Sequence, residues 1–290
     1  MSDALNAAPF AVTQDGDWLC GPWRAPVNIA AHAKGTIHDD DTAQALGLRG
    51  GTVAGSIHLQ QCAPMGRAVF GDGWDQQGCL SLYFRHATRG GEPIRVSLRP
   101  GRPGHAEMVL HTPEGLVVAE GAAASAFTPD CPVRERLAKA GPPPDSLKIL
   151  RSVSIGAVAQ RWADPILRTR NDADRATLTE PLPQDPVAGP RALPYNLMID
   201  VLRAVEPALA PLPEGVVGLY GAIALAWFDG PLREETPYRV TGVVRALMET
   251  PQTEGLWYES EAFDEGGVLK ARMLMLARVM KASSSLWGAL

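Results

Sequence analysis

Two kinds of apolar pattern alternate along this chain, and their order occurs twice. Ala54–Phe70 and Tyr195–Leu209 are apolar-rich, helix-compatible runs. β-prone stretches follow each of them. HAEMVLHT and LVVAEGAAAS flank Pro113-Glu114-Gly115, and LWYESEAF and VLKARMLMLARVM flank Asp264-Glu265-Gly266-Gly267. Gly-containing connections between such runs signal hairpins. The longest apolar run, Val216–Phe228, is too short to cross a bilayer and predicts a buried strand.

The repetition extends to individual residues. SLYFRHATRGGEPIRV, Ser81–Val96, and LAWFDGPLREETPYRV, Leu225–Val240, align at one constant offset of 144 residues. Phe84 then matches Phe228, Arg89 matches Arg233, Pro93 matches Pro237, Arg95 matches Arg239 and Val96 matches Val240. Between the copies, Thr128–Ser146 carries Gly141-Pro142-Pro143-Pro144, which predicts a stiff, extended linker. Glu180–Pro194, rich in Pro, Gly and Asp, reads as an irregular surface stretch of the second half. The partition is an N-terminal unit 1–128, a linker 129–146 and a C-terminal unit 147–290. A helix followed by three or four antiparallel strands, duplicated across a Pro-rich joint, matches an α+β double hot-dog. In that fold two sheets, each curled around a helix, form one continuous layer.

Composition narrows the function classes. A hydrophobic content of 46% against 20% charged is enough for a substantial core, and 290 residues suit one large or two ordinary domains. A net charge of −5 without any Lys/Arg cluster argues against nucleic acid as a partner. The start, MSDALNAAPF, lacks a basic region followed by an apolar run, so no secretion signal is read and the expected location is the cytoplasm. Cys20, Cys62, Cys79 and Cys131 are scattered, without CxxC, and read as reduced thiols.

Gly35–Gly55, GTIHDDDTAQALGLRGGTVAG, concentrates the candidate chemistry. His38 precedes an acidic turn, a short helix-compatible run follows, and a glycine loop opens the longer helix. Histidine is the side chain whose ordinary titration range lies nearest neutrality, which suits acid–base work. A helix that starts in a glycine loop offers free N–H groups and the positive end of its dipole to a polarised carbonyl. The two together suit proton transfer beside a carbonyl. The segment resembles the active-site region of the MaoC-like (R)-specific enoyl-CoA hydratases. Their pattern runs Asp-x-Asn-Pro-x-His, then an alanine, a glycine four residues on, and a glycine eight further that opens the central helix. Ile37-His38, Ala43, Gly47 and Gly55 match it, whereas the aspartate's place holds Ala33 and the asparagine's holds Gly35. The resemblance implies a hot-dog fold, a catalytic His38, and a thioester oxygen bound at the N–H of Gly55.

The neighbouring residues carry competing readings. Asp39, Asp40 and Asp41 suit a helix start, where carboxylates meet free N–H groups. Asp40 and Asp41 are also the candidates to orient His38 or to replace the absent aspartate. Thr52 and Ser56 are expected to line the pocket beside Gly55. His58, one turn into the helix, is either a structural histidine or a pocket residue, and His32 is a further candidate for the second polar group. Trp74, Tyr83 and Trp227 are expected in the core. All six histidines precede residue 112, so the second half reads as a degenerate, pocket-shaping partner. The resemblance extends this to a large or branched acyl substrate. The expected function is a cofactor-independent lyase of hydratase or dehydratase type. It would act on an α,β-unsaturated acyl thioester or related activated carbonyl, with CoA entering only as part of the substrate. A hot-dog thioesterase ranks lower because Thr52–Phe70 holds no acidic residue. A non-catalytic protein that binds an acyl ligand or a partner subunit is the third reading. The expected partner is a small molecule, acyl-CoA among the candidates, with neither metal nor membrane; a homodimer is compatible with this reading.

Overall fold

The computed structural model describes residues 2–182 and 189–287. Its first half runs α1 (Ser2–Ala7), β1 (Thr13–Asp15), β2 (Trp18–Cys20), α2 (Asp40–Ala45), α3 (Gly55–Phe70), β3 (Gly78–Phe84), β4 (Arg95–Pro100), β5 (His105–His111) and β6 (Val117–Ala124). A short α4 (Pro132–Ala138) follows. The second half runs β7 (Val158–Ala163), α5 (Arg168–Arg175), α6 (Tyr195–Leu202), α7 (Glu206–Leu209), β8 (Gly218–Trp227), β9 (Tyr238–Glu249), β10 (Thr253–Phe263) and β11 (Leu269–Met280). Both hairpins read from the sequence are present, as β5–β6 and β10–β11, and the run Val216–Phe228 supplies β8.

Among the described residues all eleven strands join one antiparallel sheet, in the order β1-β2-β4-β5-β6-β3-β8-β11-β10-β9-β7. From β2 to β3 and from β7 to β8 the two halves have mirrored orders. They meet where β3 pairs with β8, with Gly78 opposite Trp227 and Tyr83 opposite Ala222. Applying the 144-residue offset to the first of these pairs returns the second. The ladder therefore maps onto itself, as a pseudo-twofold axis through its centre requires. This is the double hot-dog arrangement.

The helices lie where their burial demands. Every residue of α3 from Ser56 to Gly66 is buried, and a helix buried on all sides belongs at the centre of a domain. It packs on α6, which is buried along nearly its whole length. Trp74 closes the space beneath them. A Cβ on Gly66 would stand 2.3 Å from the Trp74 ring, so only glycine allows that approach. Trp227 meets Trp74 edge-on and donates from Nε1 to its carbonyl at 2.8 Å. The two tryptophans are core residues, as expected.

Three expectations need correction. Tyr195–Leu209 is not one helix: α6 ends at Leu202, a 3-10 turn follows at Arg203–Val205, and α7 resumes at Glu206. Pro207 lacks the N–H that a continuous helix needs at that position, and a proline is tolerated only in the first turn of the new one. Thr128–Ser146 is not wholly extended either, since Pro132 starts α4. Val133 of α4 joins Cys131, Leu274, Leu276 and Trp257 in a separate apolar cluster on the sheet. Tyr83 is half-buried against that cluster rather than in the main core. Of the Glu180–Pro194 stretch, residues 183–188 lie outside the described residues.

Candidate active site

The pairing of β3 with β8 ends at Tyr83 and Ala222, whereas β8 begins at Gly218, so the two strands part there. A cavity of about 580 Å³ opens at this divergence. The first half contributes Thr36–His38, Thr52–Gly55, His58 and Phe84–Ala87. The second half supplies a mostly apolar wall that includes Leu212, Val216, Val217, Leu256 and Val279, together with Arg203, Glu206, Tyr220 and Arg278. His38 and Gly55 thus share one cavity between the halves.

His38 is held by a clasp between two loops. Its Nδ1 lies 2.7 Å from the carbonyl oxygen of Thr52. A carbonyl can only accept, so Nδ1 carries the proton and the neutral ring keeps its lone pair on Nε2. Nε2 has no protein partner among the described residues. In return Thr52 donates its backbone N–H (2.8 Å) and its hydroxyl (3.1 Å) to the carbonyl of Ile37. Asn28 Nδ2 donates to the His38 carbonyl at 2.8 Å. A Cβ on Gly51 would stand 2.3 Å from that same carbonyl, which explains a glycine there.

The aspartates serve the loop and not the ring. Asp40 accepts from the N–H of Gly51 at 2.7 Å, and the exposed Asp41 lies 3.4 Å from Lys34 Nζ. Buried Asp39 accepts from Lys34 Nζ, Thr42 Oγ1 and the N–H of Gly35, and the Lys34 ammonium, followed by Thr42, holds its carboxyl well below the usual range. The expected pairing of His38 with Asp40 or Asp41 is therefore absent, because the ring's donor is spent on Thr52. Neither carboxylate lines the cavity; nor do exposed His32 and buried Ser56.

His58 lines the cavity but is fully engaged. Its ring lies 2.9 Å from Gln61 Oε1 through Nδ1 and 2.9 Å from Thr88 Oγ1 through Nε2. Burial pushes its pKa down to about 4, so it is neutral near pH 7.

The two pseudo-symmetric helix starts differ sharply. Thr52 bridges Arg89 and Ala192 bridges Arg233, so the repeat aligns Gly55, three residues past Thr52, with Tyr195, three past Ala192. The N–H of Tyr195 donates to Gln60 Oε1 at 2.6 Å, and its ring is buried against Trp227, 4.8 Å between centroids. The second helix start is thus capped and filled. At the first, no described group accepts from the N–H of Gly55, and no side chain caps the helix. A Cβ there would stand 2.7 Å from the Phe84 ring, so glycine lets this helix end meet the cavity wall.

Sequence reasoning missed the polar groups of the second half. Arg203 donates to Glu206 at 2.6 Å and to Tyr220 Oη at 2.8 Å, and Tyr258 Oη donates to Glu206 at 2.8 Å. Only the break before α7 and the placing of β11 between β8 and β10 bring these residues together, and neither is marked by a local motif. A second cavity of about 560 Å³, lined by Arg161, Asp164, Arg170 and Asp200, holds none of the candidates.

No family model matches the chain, and no curated protein matches it in sequence. Solved structures do match in fold. A MaoC domain dehydratase protein from Chloroflexus aurantiacus superposes with a TM-score of 0.59 at 14% identity, covering 94% of each chain. The dehydratase domain of the polyketide protein PpsC from Mycobacterium tuberculosis gives 0.52 at 12% identity, over 93% of this chain and 96% of that one. The dehydratase domain of a mycocerosic acid synthase-like polyketide synthase gives 0.52 at 13%, over 96% and 95%. Nearly the whole chain is covered each time, and by fold it is a double hot-dog like these MaoC-domain and polyketide-synthase dehydratases.

Proposed function

We propose that this protein is a hydratase or dehydratase acting on an α,β-unsaturated acyl thioester, with His38 as its single acid–base group. The observation that carries this reading is the free Nε2 of His38 and the free N–H of Gly55 on one cavity. In hydration, Nε2 takes a proton from water as the oxygen adds to the β-carbon. The resulting enolate oxygen is held by the N–H of Gly55 at the positive end of α3. The imidazolium then returns the proton to the α-carbon, so water is added and the ring regenerated. Dehydration is the reverse. The Thr52 carbonyl holds the same tautomer throughout and disperses part of the imidazolium charge. A carboxylate as second proton carrier is not required in this scheme. Glu206, the cavity's acidic residue, is committed to Arg203 and Tyr258, which also counts against a water-activating carboxylate of thioesterase type. The apolar second-half wall suits an acyl chain.

The test is a panel of enoyl-CoA and acyl-CoA thioesters, following the conjugated double bond and free thiol separately. Loss or gain of the double bond without thiol release is expected. Thiol release alone, or no reaction with any member, would overturn the reading.

A further inference from the structure

Three guanidinium groups surround Tyr83. Arg136 lies 3.8 Å from the ring centre, Arg85 5.7 Å and Arg278 5.9 Å. One carboxylate, Glu120, serves both Arg85 (2.5 Å) and Arg136 (2.9 Å). Arg278 has no acidic partner among the described residues. Its Nη2 donates to Tyr83 Oη at 3.1 Å, while its buried Nε donates to nothing. A half-buried guanidinium left in that state pays for desolvation unless an anion compensates it. Gly221 is what admits it, since a Cβ there would stand 2.5 Å from Arg278 Nε. Arg85 and Arg278 both line the His38 cavity. Arg203, the other arginine of that cavity, is already balanced by Glu206. Three cations against one carboxylate, in a chain of net charge −5, make a local positive field at this opening.

We infer that Arg278, held by Tyr83 and aided by Arg85, binds a phosphate of the thioester's carrier arm. The cluster leaves an excess of two positive charges, which the anionic oxygens of a phosphodiester offset in part and those of a phosphomonoester or a diphosphate offset nearly in full. A guanidinium fork also matches phosphate oxygens geometrically, as an ammonium does not. CoA and the 4′-phosphopantetheine arm of a carrier protein both present such a phosphate. The identity of the arm rests on the hydratase reading, but the binding itself does not require turnover.

Calorimetric titration of the full chain with CoA, 4′-phosphopantetheine and pantetheine tests this. The phosphorylated probes are expected to bind on the order of 10- to 100-fold more tightly than pantetheine, the usual worth of one or two charged hydrogen bonds. The gap should shrink as salt rises. Arg278→Ala should abolish it without weakening pantetheine, which also reports an intact fold, and Arg278→Lys should recover part of it. A gain with both phosphorylated probes places the bound phosphate next to pantetheine, where a carrier protein also presents it. A gain with CoA alone places it at the nucleotide end. Equal affinities for CoA and pantetheine, or a gap that survives in Arg278→Ala, would overturn the inference. An Arg278-dependent gap without turnover of any thioester keeps the phosphate site and removes the hydratase reading. Turnover of an enoyl-CoA with an unchanged KM in Arg278→Ala does the opposite.

Discussion

Gln60 Oε1 accepts the backbone N–H of Tyr195 at 2.6 Å, so the central helix of one half caps the helix of the other. The favour is not returned at Gly55. This asymmetry leaves one helix start available for a ligand and uses the other for stability. Gln60→Leu would leave the Tyr195 N–H buried without a partner, since both residues are largely shielded from solvent. The expected loss is about 1–3 kcal/mol in chemical denaturation, the cost of a buried unmade hydrogen bond. Turnover per folded molecule should hardly change. A variant of full stability would show that water or another group satisfies that N–H.

Gly55→Ala keeps the backbone N–H but drives a methyl group to about 2.7 Å from the Phe84 ring. The helix start or the ring must shift. Relieving that contact by moving the oxyanion donor about 1 Å should lower kcat roughly 10²-fold. Adding Phe84→Ala makes room for the methyl, and the double variant should recover much of the loss. Should the single variant retain full kcat on a genuine substrate, the N–H of Gly55 does not hold the reacting oxygen.

His38→Ala is expected to lower turnover by roughly 10²–10⁴-fold, the usual contribution of a general acid–base group. Folding should be little affected, because the ring is half-buried and makes one hydrogen bond. Asp40→Asn should have a small effect and leave the pH optimum in place, because Asp40 bonds Gly51 and an amide oxygen can still accept there. A pH optimum that moves in Asp40→Asn would restore the pairing with His38 that the loop geometry argues against.

Much of this arrangement was legible in the sequence, for physical reasons that can be named. The 144-residue offset exposed the duplication because the two copies run in one register, in which Arg89 and Arg233 hold equivalent bridge positions. His38 and Gly55 could be read because the loop and helix start that position them are continuous in sequence. The roles of Asp40 and Asp41 could not. Adjacent carboxylates point in different directions, and which N–H each meets depends on where Gly51 and Lys34 lie in space. Arg278 carried no signal at all. It reaches Tyr83 only because β11 lies beside β8, and β8 beside β3, a relation between residues 195 positions apart.

His58 gives the acid stability of the fold a definite sign. Its folded pKa, about 4, lies below the ordinary value of 6.5 because the ring is buried, and its partners Gln61 and Thr88 carry no charge. Between those pH values the unfolded chain binds a proton that the folded chain refuses. The group's contribution is therefore complete above about pH 6.5 and is lost as pH falls toward 4. The amount is on the order of 3 kcal/mol. Denaturant titrations at pH 7 and pH 5 should show this decline in the wild type. His58→Gln, which cannot take up the proton, should be less stable at neutral pH yet show a flatter dependence across the same window. If both proteins lose stability in parallel between pH 6.5 and 4, the decline belongs to other groups and His58 is not held neutral by the fold.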